Sequence, residues 1–114
     1  MPYIEAKVSC DITNEQAELL KKGFGKAIEC IPGKSESWLM VNIEDGKKIY
    51  FKGDATSDSA FISVAIFGKA SADAYENLTK SICKLINETL GISPDRTYVT
   101  YSEVDNWGWN GMNF

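Results

Sequence analysis

At 114 residues, with 44% hydrophobic and 25% charged residues, the chain has room for one soluble domain with a real core and not for two. Its formal net charge of −4, with Arg96 the only arginine, argues against nucleic acid as a partner, because phosphate binding needs clustered cations. Histidine is absent, so the side chain that most often does acid–base work near neutral pH is missing.

Residues Pro2 to Cys10 alternate apolar and polar types and read as a first strand. Thr13-Asn14-Glu15-Gln16 has the form of a capping box, and Ala17, Leu20, Phe24, Ala27, Ile28 and Ile31 follow at the spacing of one helical stripe. Gly23 and Gly25 weaken this helix, and Pro32-Gly33 stops it. Trp38 to Ile43 predicts a second strand, and Asp45-Gly46 a turn into a hairpin arm, Lys48 to Phe51. Gly53 to Ser59 is a loop of small and polar residues.

The second half repeats the plan. Phe61 to Phe67 is almost wholly apolar, as in a strand covered on both faces. Tyr75, Leu78, Ile82, Leu85, Ile86 and Leu90 trace a second amphipathic helix, with Gly91 at the place of a left-handed C-cap and Pro94 close behind. Thr97 to Val104 is rich in β-branched and aromatic residues and predicts a last strand. The aromatic end, Trp107 to Phe114, is expected to pack against something. Strand starts Pro2 and Ala60 are separated almost as Trp38 and Thr97 are, the mark of a duplicated βαβ unit, roughly residues 2–51 and 60–114 of a single domain. The expected fold is α/β (α+β): a four-stranded mixed sheet with both helices on one face. Two helices leave the other face bare, which implies burial against further copies of the chain.

The three cysteines, Cys10, Cys30 and Cys83, are widely spaced and form no CxxC pair, so neither a disulfide framework nor a metal site is supported. Cys83 reads as a core thiol. No basic segment leads into an apolar run at the amino terminus, and no apolar stretch approaches membrane-spanning length. The expectation is a cytoplasmic chain without membrane insertion, with secretion without a signal peptide left open.

With no histidine, Pro2 draws notice. If Met1 is removed, Pro2 carries a free secondary amine, and α-amino groups titrate at about 7.7–8.0, a value that burial or a nearby cation lowers. The plain alternative is an ordinary terminal residue.

Met1-Pro2 opening a strand, Gly33-Lys34 after the first helix, and the run Gly91-Ile92-Ser93-Pro94-Asp95-Arg96-Thr97-Tyr98 resemble the macrophage migration inhibitory factor and D-dopachrome tautomerase family. So does the end, Trp107-Gly108-Trp109-Asn110 closing on Phe114, and the resemblance covers essentially the whole chain. It implies the tautomerase fold, a homotrimer with active sites between subunits, and keto–enol tautomerisation of α-keto acids such as phenylpyruvate without a cofactor or metal. By position, Pro2 would be the general base and Lys34 the cation beside it, gripping the substrate carboxylate. Phe67 would offer a backbone group. Tyr98 would come from a neighbouring subunit, and Trp38, Trp107 and Phe114 would line an aromatic mouth. Thr100 stands where mammalian relatives have a pocket asparagine, Ser59 and Ile62 replace the family's CxxC, and Ser102 to Asn106 is shorter than in mammalian members. Lys34 also reads as a helix-terminal or surface cation. Tyr101 reads as a core residue, and Trp107 and Trp109 as interface packing. The resemblance equally allows a cytokine-like protein that binds a host cell-surface receptor with an incidental pocket, or a trimeric scaffold with a vestigial one.

Overall fold

In the computed structural model, which describes residues 1–114, strand β1 (Pro2–Val8) leads through helix α1 (Asn14–Ala27) to β2 (Met40–Glu44). Strand β3 (Ala60–Phe67) leads in the same way through α2 (Ala72–Leu90) to β4 (Thr97–Val104). The sheet order is β2-β1-β3-β4. β1 and β2 are parallel, as are β3 and β4, and the two halves meet through the antiparallel β1–β3 pair. This is the duplicated βαβ plan, a four-stranded mixed α+β sheet with two helices.

Local chemistry accounts for the helix ends. Thr13 Oγ1 accepts from Gln16 N at 3.1 Å while Gln16 Oε1 accepts from Thr13 N at 3.0 Å, a complete capping box. Gly91 ends α2 at φ 71°, a backbone region costly for any residue with a Cβ. The core lies between the helices and one sheet face. Ile4, Ala6 and Val8 of β1 and Ile62, Val64 and Ile66 of β3 meet Leu20 and Phe24 of α1 and Leu78, Ile82 and Ile86 of α2. Gly23 permits close helix packing, since a Cβ there would collide with the side chain of Leu85. Cys83 is only partly buried and is not part of this core.

Three expected element boundaries need correction. Trp38 does not begin a strand. Glu36–Trp38 forms a 3-10 turn, because Ser35 Oγ accepts from Ser37 N at 3.3 Å and Leu39 N donates to Glu36 O at 3.1 Å. Residues 48–51 form no hairpin arm on β2. Gly46 N donates to Cys10 O at 2.9 Å and Lys47 N to Val8 O at 3.0 Å, so the Asp45-Gly46 turn carries the chain across the end of β1. Lastly, α1 stops at Ala27; of the remaining stripe residues Ile28 lies in a 3-10 turn and Ile31 is extended just after it.

The tail folds on itself. β5 (Gly108–Trp109) pairs with β6 (Met112–Asn113) across Asn110 (φ 53°) and Gly111 (φ 80°), the left-handed pair that a two-residue hairpin turn requires.

The sheet face opposite the helices is open in the single chain. It carries Tyr3, Glu5, Met40, Asn42, Phe61, Ser63, Tyr98 and Thr100. β3 is therefore covered on one face only, and Phe61 remains 38% exposed.

Candidate active site

Proline suits the first position of β1, where its missing N–H leaves no gap in the ladder. Pro2 is buried and lies opposite Ile66 of β3, and Phe67 N donates to Met1 O at 2.9 Å. The amino terminus is thereby fixed against the last turn of β3. Pro32 and Gly33, the latter at φ 80°, redirect the chain after α1, and Lys34 N donates to Ile31 O at 3.0 Å. That turn sends Lys34 Nζ to Phe67 O, to which it donates at 2.9 Å. Lys34 takes part in none of the chain's ion pairs, so its charge is unspent on any carboxylate.

Burial pushes the terminal amine below its ordinary value, and the Lys34 cation adds to the effect. Here that amine belongs to Met1. The nitrogen of Pro2 is an amide while Met1 is attached, and has no basic lone pair.

Beside this terminus opens a cleft of about 680 Å³, mostly apolar, with Pro2, Trp38, Met40, Trp107 and Trp109 in its wall. The 3-10 turn supplies Trp38 and the tail supplies the other two indoles. Trp109 bridges the wall, with its ring 5.0 Å from Trp38 in an edge contact and 6.3 Å from Phe114 in a stack. Phe114 lies 5.8 Å from Phe67, and its N–H donates to Trp107 O at 3.0 Å, which pins the tail end over the site. No three His, Cys, Asp or Glu side chains converge as a metal site would need.

Six of the eight residues singled out from sequence, Pro2, Lys34, Trp38, Phe67, Trp107 and Phe114, therefore meet at one end of the sheet. Tyr98 and Thr100 do not join them. Tyr98 pairs with Phe61 and Thr100 with Ser63, whereas the site lies at Phe67. Six residues of strand put Tyr98 about 20 Å away. Thr100 stands nearer to it, at Ser63, and also outside the cleft. Sequence reasoning missed Tyr3, Met40 and Ala65 as wall residues, and favoured packing over a site role for Trp109. The Asn110-Gly111 turn signal that folds the tail back was present in the sequence.

Comparison with known proteins bears on this geometry. The family model described as macrophage migration inhibitory factor matches residues 1–114. The macrophage migration inhibitory factor of Rattus norvegicus is 35% identical over 85 residues, 72% of each chain. Leishmania major MIF2 superposes with a TM-score of 0.92 at 29% identity, covering 100% of this chain and 97% of its own. The homologue from Prochlorococcus marinus does so with a TM-score of 0.88 at 27% identity, covering 98% of each chain.

Proposed function

We propose that this chain, which belongs to the macrophage migration inhibitory factor family, is a keto–enol tautomerase of aryl α-keto acids such as phenylpyruvate. Pro2, freed by removal of Met1, is its general base. The observation that carries the reading is the placement of Lys34 Nζ at 2.9 Å from Phe67 O, beside the amino terminus and next to the aromatic cleft.

The chemistry follows from that placement. A free pyrrolidine nitrogen holds its lone pair in a rigid ring fixed by β1. The Lys34 cation favours the neutral, basic form of the amine, and a base works best with a pKa near the working pH. Pro2 takes the proton from the carbon next to the carbonyl, and the electron pair moves onto the carbonyl oxygen. Protonation of that oxygen gives the enol, and the reverse path returns the ketone. Once Met1 is gone, Phe67 N loses its acceptor and can donate to a substrate oxygen, while Lys34 attracts the carboxylate. Trp38 and Trp107 line the cleft with Trp109, on which Phe114 stacks, giving an apolar aromatic surface suited to a phenyl ring.

Tyr98 and Thr100 enter the reading through assembly. A homotrimer that covers the open sheet face brings strand β4 of one copy towards the cleft of another. Tyr98 then donates a hydroxyl hydrogen bond to the substrate, and Thr100, whose side chain reaches less far, offers a second hydroxyl donor. A second reading, a cytokine-like role at a host cell-surface receptor, is favoured by the names of the curated relatives alone. Receptor binding that survives disabling of Pro2 separates it from the first.

The test is turnover of enol-phenylpyruvate by protein shown by intact mass to begin at Pro2. General-base catalysis is worth about 10²–10⁴-fold, so Pro2→Gly is expected to lose activity on that scale. Parental activity in Pro2→Gly removes Pro2 as the base.

A further inference from the structure

Tyr98 is an exposed aromatic residue whose hydroxyl makes no hydrogen bond within the chain, although its ring has a defined neighbour. The ring of Phe51 stands 5.3 Å from it at 84°, an edge-to-face contact. Phe51 in turn begins a segment that is held far more firmly than a surface loop requires. Phe51 N donates to Asp54 O at 2.9 Å and Asp54 N to Phe51 O at 3.0 Å, which closes a two-residue turn. Lys52 (φ 54°) and Gly53 (φ 76°) both occupy the left-handed region in that turn. For lysine this is strained backbone, which persists only where the surroundings over-determine it.

The surroundings here are Arg96. Its Nη2 donates to Asp54 O at 2.9 Å and its Nε to Asp58 O at 3.0 Å, and Nη1 lies 3.6 Å from the Asp54 carboxylate. The guanidinium carbon sits 5.5 Å from the centre of the Phe51 ring. The only arginine of the chain, with a side chain 14% exposed, is thus spent on one loop. Residues 52, 53 and 55–58 of that loop are exposed and add little to the core. The clamp holds the ring of Phe51 against that of Tyr98.

We infer that Phe51, clamped by Arg96, is a positioning residue that aims the hydroxyl of Tyr98 out of its own chain and into the cleft of an adjacent copy. The inference rests on the reading that Tyr98 serves a neighbouring active site. An edge-to-face ring pair restricts the phenol to a narrow range of orientations. A hydroxyl delivered across a subunit boundary needs that restriction, because no partner within its own chain supplies it.

A double-variant cycle in Met1-free protein with phenylpyruvate tests this, using Tyr98→Phe, Phe51→Leu and the pair together. Phe51→Leu is expected to lower kcat/KM by about two- to tenfold, the range of one aromatic pair. The loss should fall on the same parameter, KM or kcat, that Tyr98→Phe changes. In the Tyr98→Phe background, Phe51→Leu should change nothing, because the hydroxyl to be aimed is gone. A merely structural role for Phe51 would lower activity equally in both backgrounds, and that result overturns the inference. So does Phe51→Leu protein as active as the parent while Tyr98→Phe is impaired. If Tyr98→Phe is itself fully active, the reading of Tyr98 fails first and the inference falls with it. Arg96→Lys, which keeps the charge and loses the fork, repeats the cycle if Phe51→Leu does not fold.

Discussion

Lys34 Nζ donates to the carbonyl oxygen of Phe67 at 2.9 Å, joining the turn after α1 to the end of β3 beside the amino terminus. One cation thereby does two things. It fixes the strand end against which the terminus lies, and it places positive charge beside the terminal amine, where it disfavours the protonated form.

The first prediction concerns pH. In the chain that begins at Met1, burial first and the Lys34 cation second hold the terminal amine below its ordinary value. Under the proposed function the same cation acts in the same direction on the freed Pro2 amine, so that base is active from lower pH than an isolated terminal amine. Lys34→Met should move the acidic limb of the kcat/KM profile to higher pH, towards the ordinary value near 8, and raise KM for the keto acid carboxylate. An unmoved limb would show that Lys34 does not act on the base.

A second prediction concerns the wall. Trp109 touches Trp38 and Phe114 and joins the tail to the 3-10 turn. Trp109→Ala should weaken binding of an aryl keto acid several-fold while the melting temperature changes little, because the indole is half exposed and lies outside the main core. Titration with phenylpyruvate and with pyruvate separates loss of aromatic contact from general damage, since only the first should suffer.

Stability should also depend on Glu103. Its carboxylate accepts from Tyr75 Oη at 2.7 Å and from Ala70 N at 3.2 Å, and these bonds, Tyr75's first, hold it below its ordinary value. A depressed carboxylate contributes stability that is fully present above the ordinary value near 4.5 and is lost as pH falls through the lower folded value. Glu103→Gln should melt earlier than the parent at pH 7 and match it near the acid end of that window. Burial and the same carboxylate push Tyr75 up to about 12, so its phenol stays protonated throughout.

Backbone strain gives a simpler test. Gly91 sits at φ 71° with open space around it, so a methyl group there meets strain and no clash. Gly91→Ala should cost about 1 kcal/mol of stability, measured by denaturant unfolding, with kcat unchanged.

Much of this was legible in the residues themselves. The stripes of α1 and α2, the box at Thr13 and Gln16, and the stop at Gly91 depend on local chemistry, and the chain obeys it. The hairpin after Glu44 did not form although Asp45-Gly46 carries the right turn chemistry. The backbone donors that follow found carbonyls at Cys10 and Val8 instead, a tertiary choice that no short window contains. Trp38 favours strands, yet the Ser35 cap commits it to a turn. Conversely, Asn110-Gly111 signalled its hairpin clearly, but strands of two residues are too short to alternate. At the site, the gathering of Pro2, Lys34 and Phe67 was implied by the family resemblance and not by the pattern of the residues. Tyr98 and Thr100 lie away from the cleft in the single chain, and the role proposed for them needs another copy, about which one chain's periodicity carries no information.

The central claim is that the base exists only when Pro2 is the first residue. The most direct measurement compares phenylpyruvate tautomerisation by two preparations of the same chain, each verified by intact mass, one beginning at Met1 and the other at Pro2. The Pro2 form should turn the substrate over, and the Met1 form, whose Pro2 nitrogen is an amide, should be at least about 100-fold slower. Equal rates in the two preparations would contradict the claim.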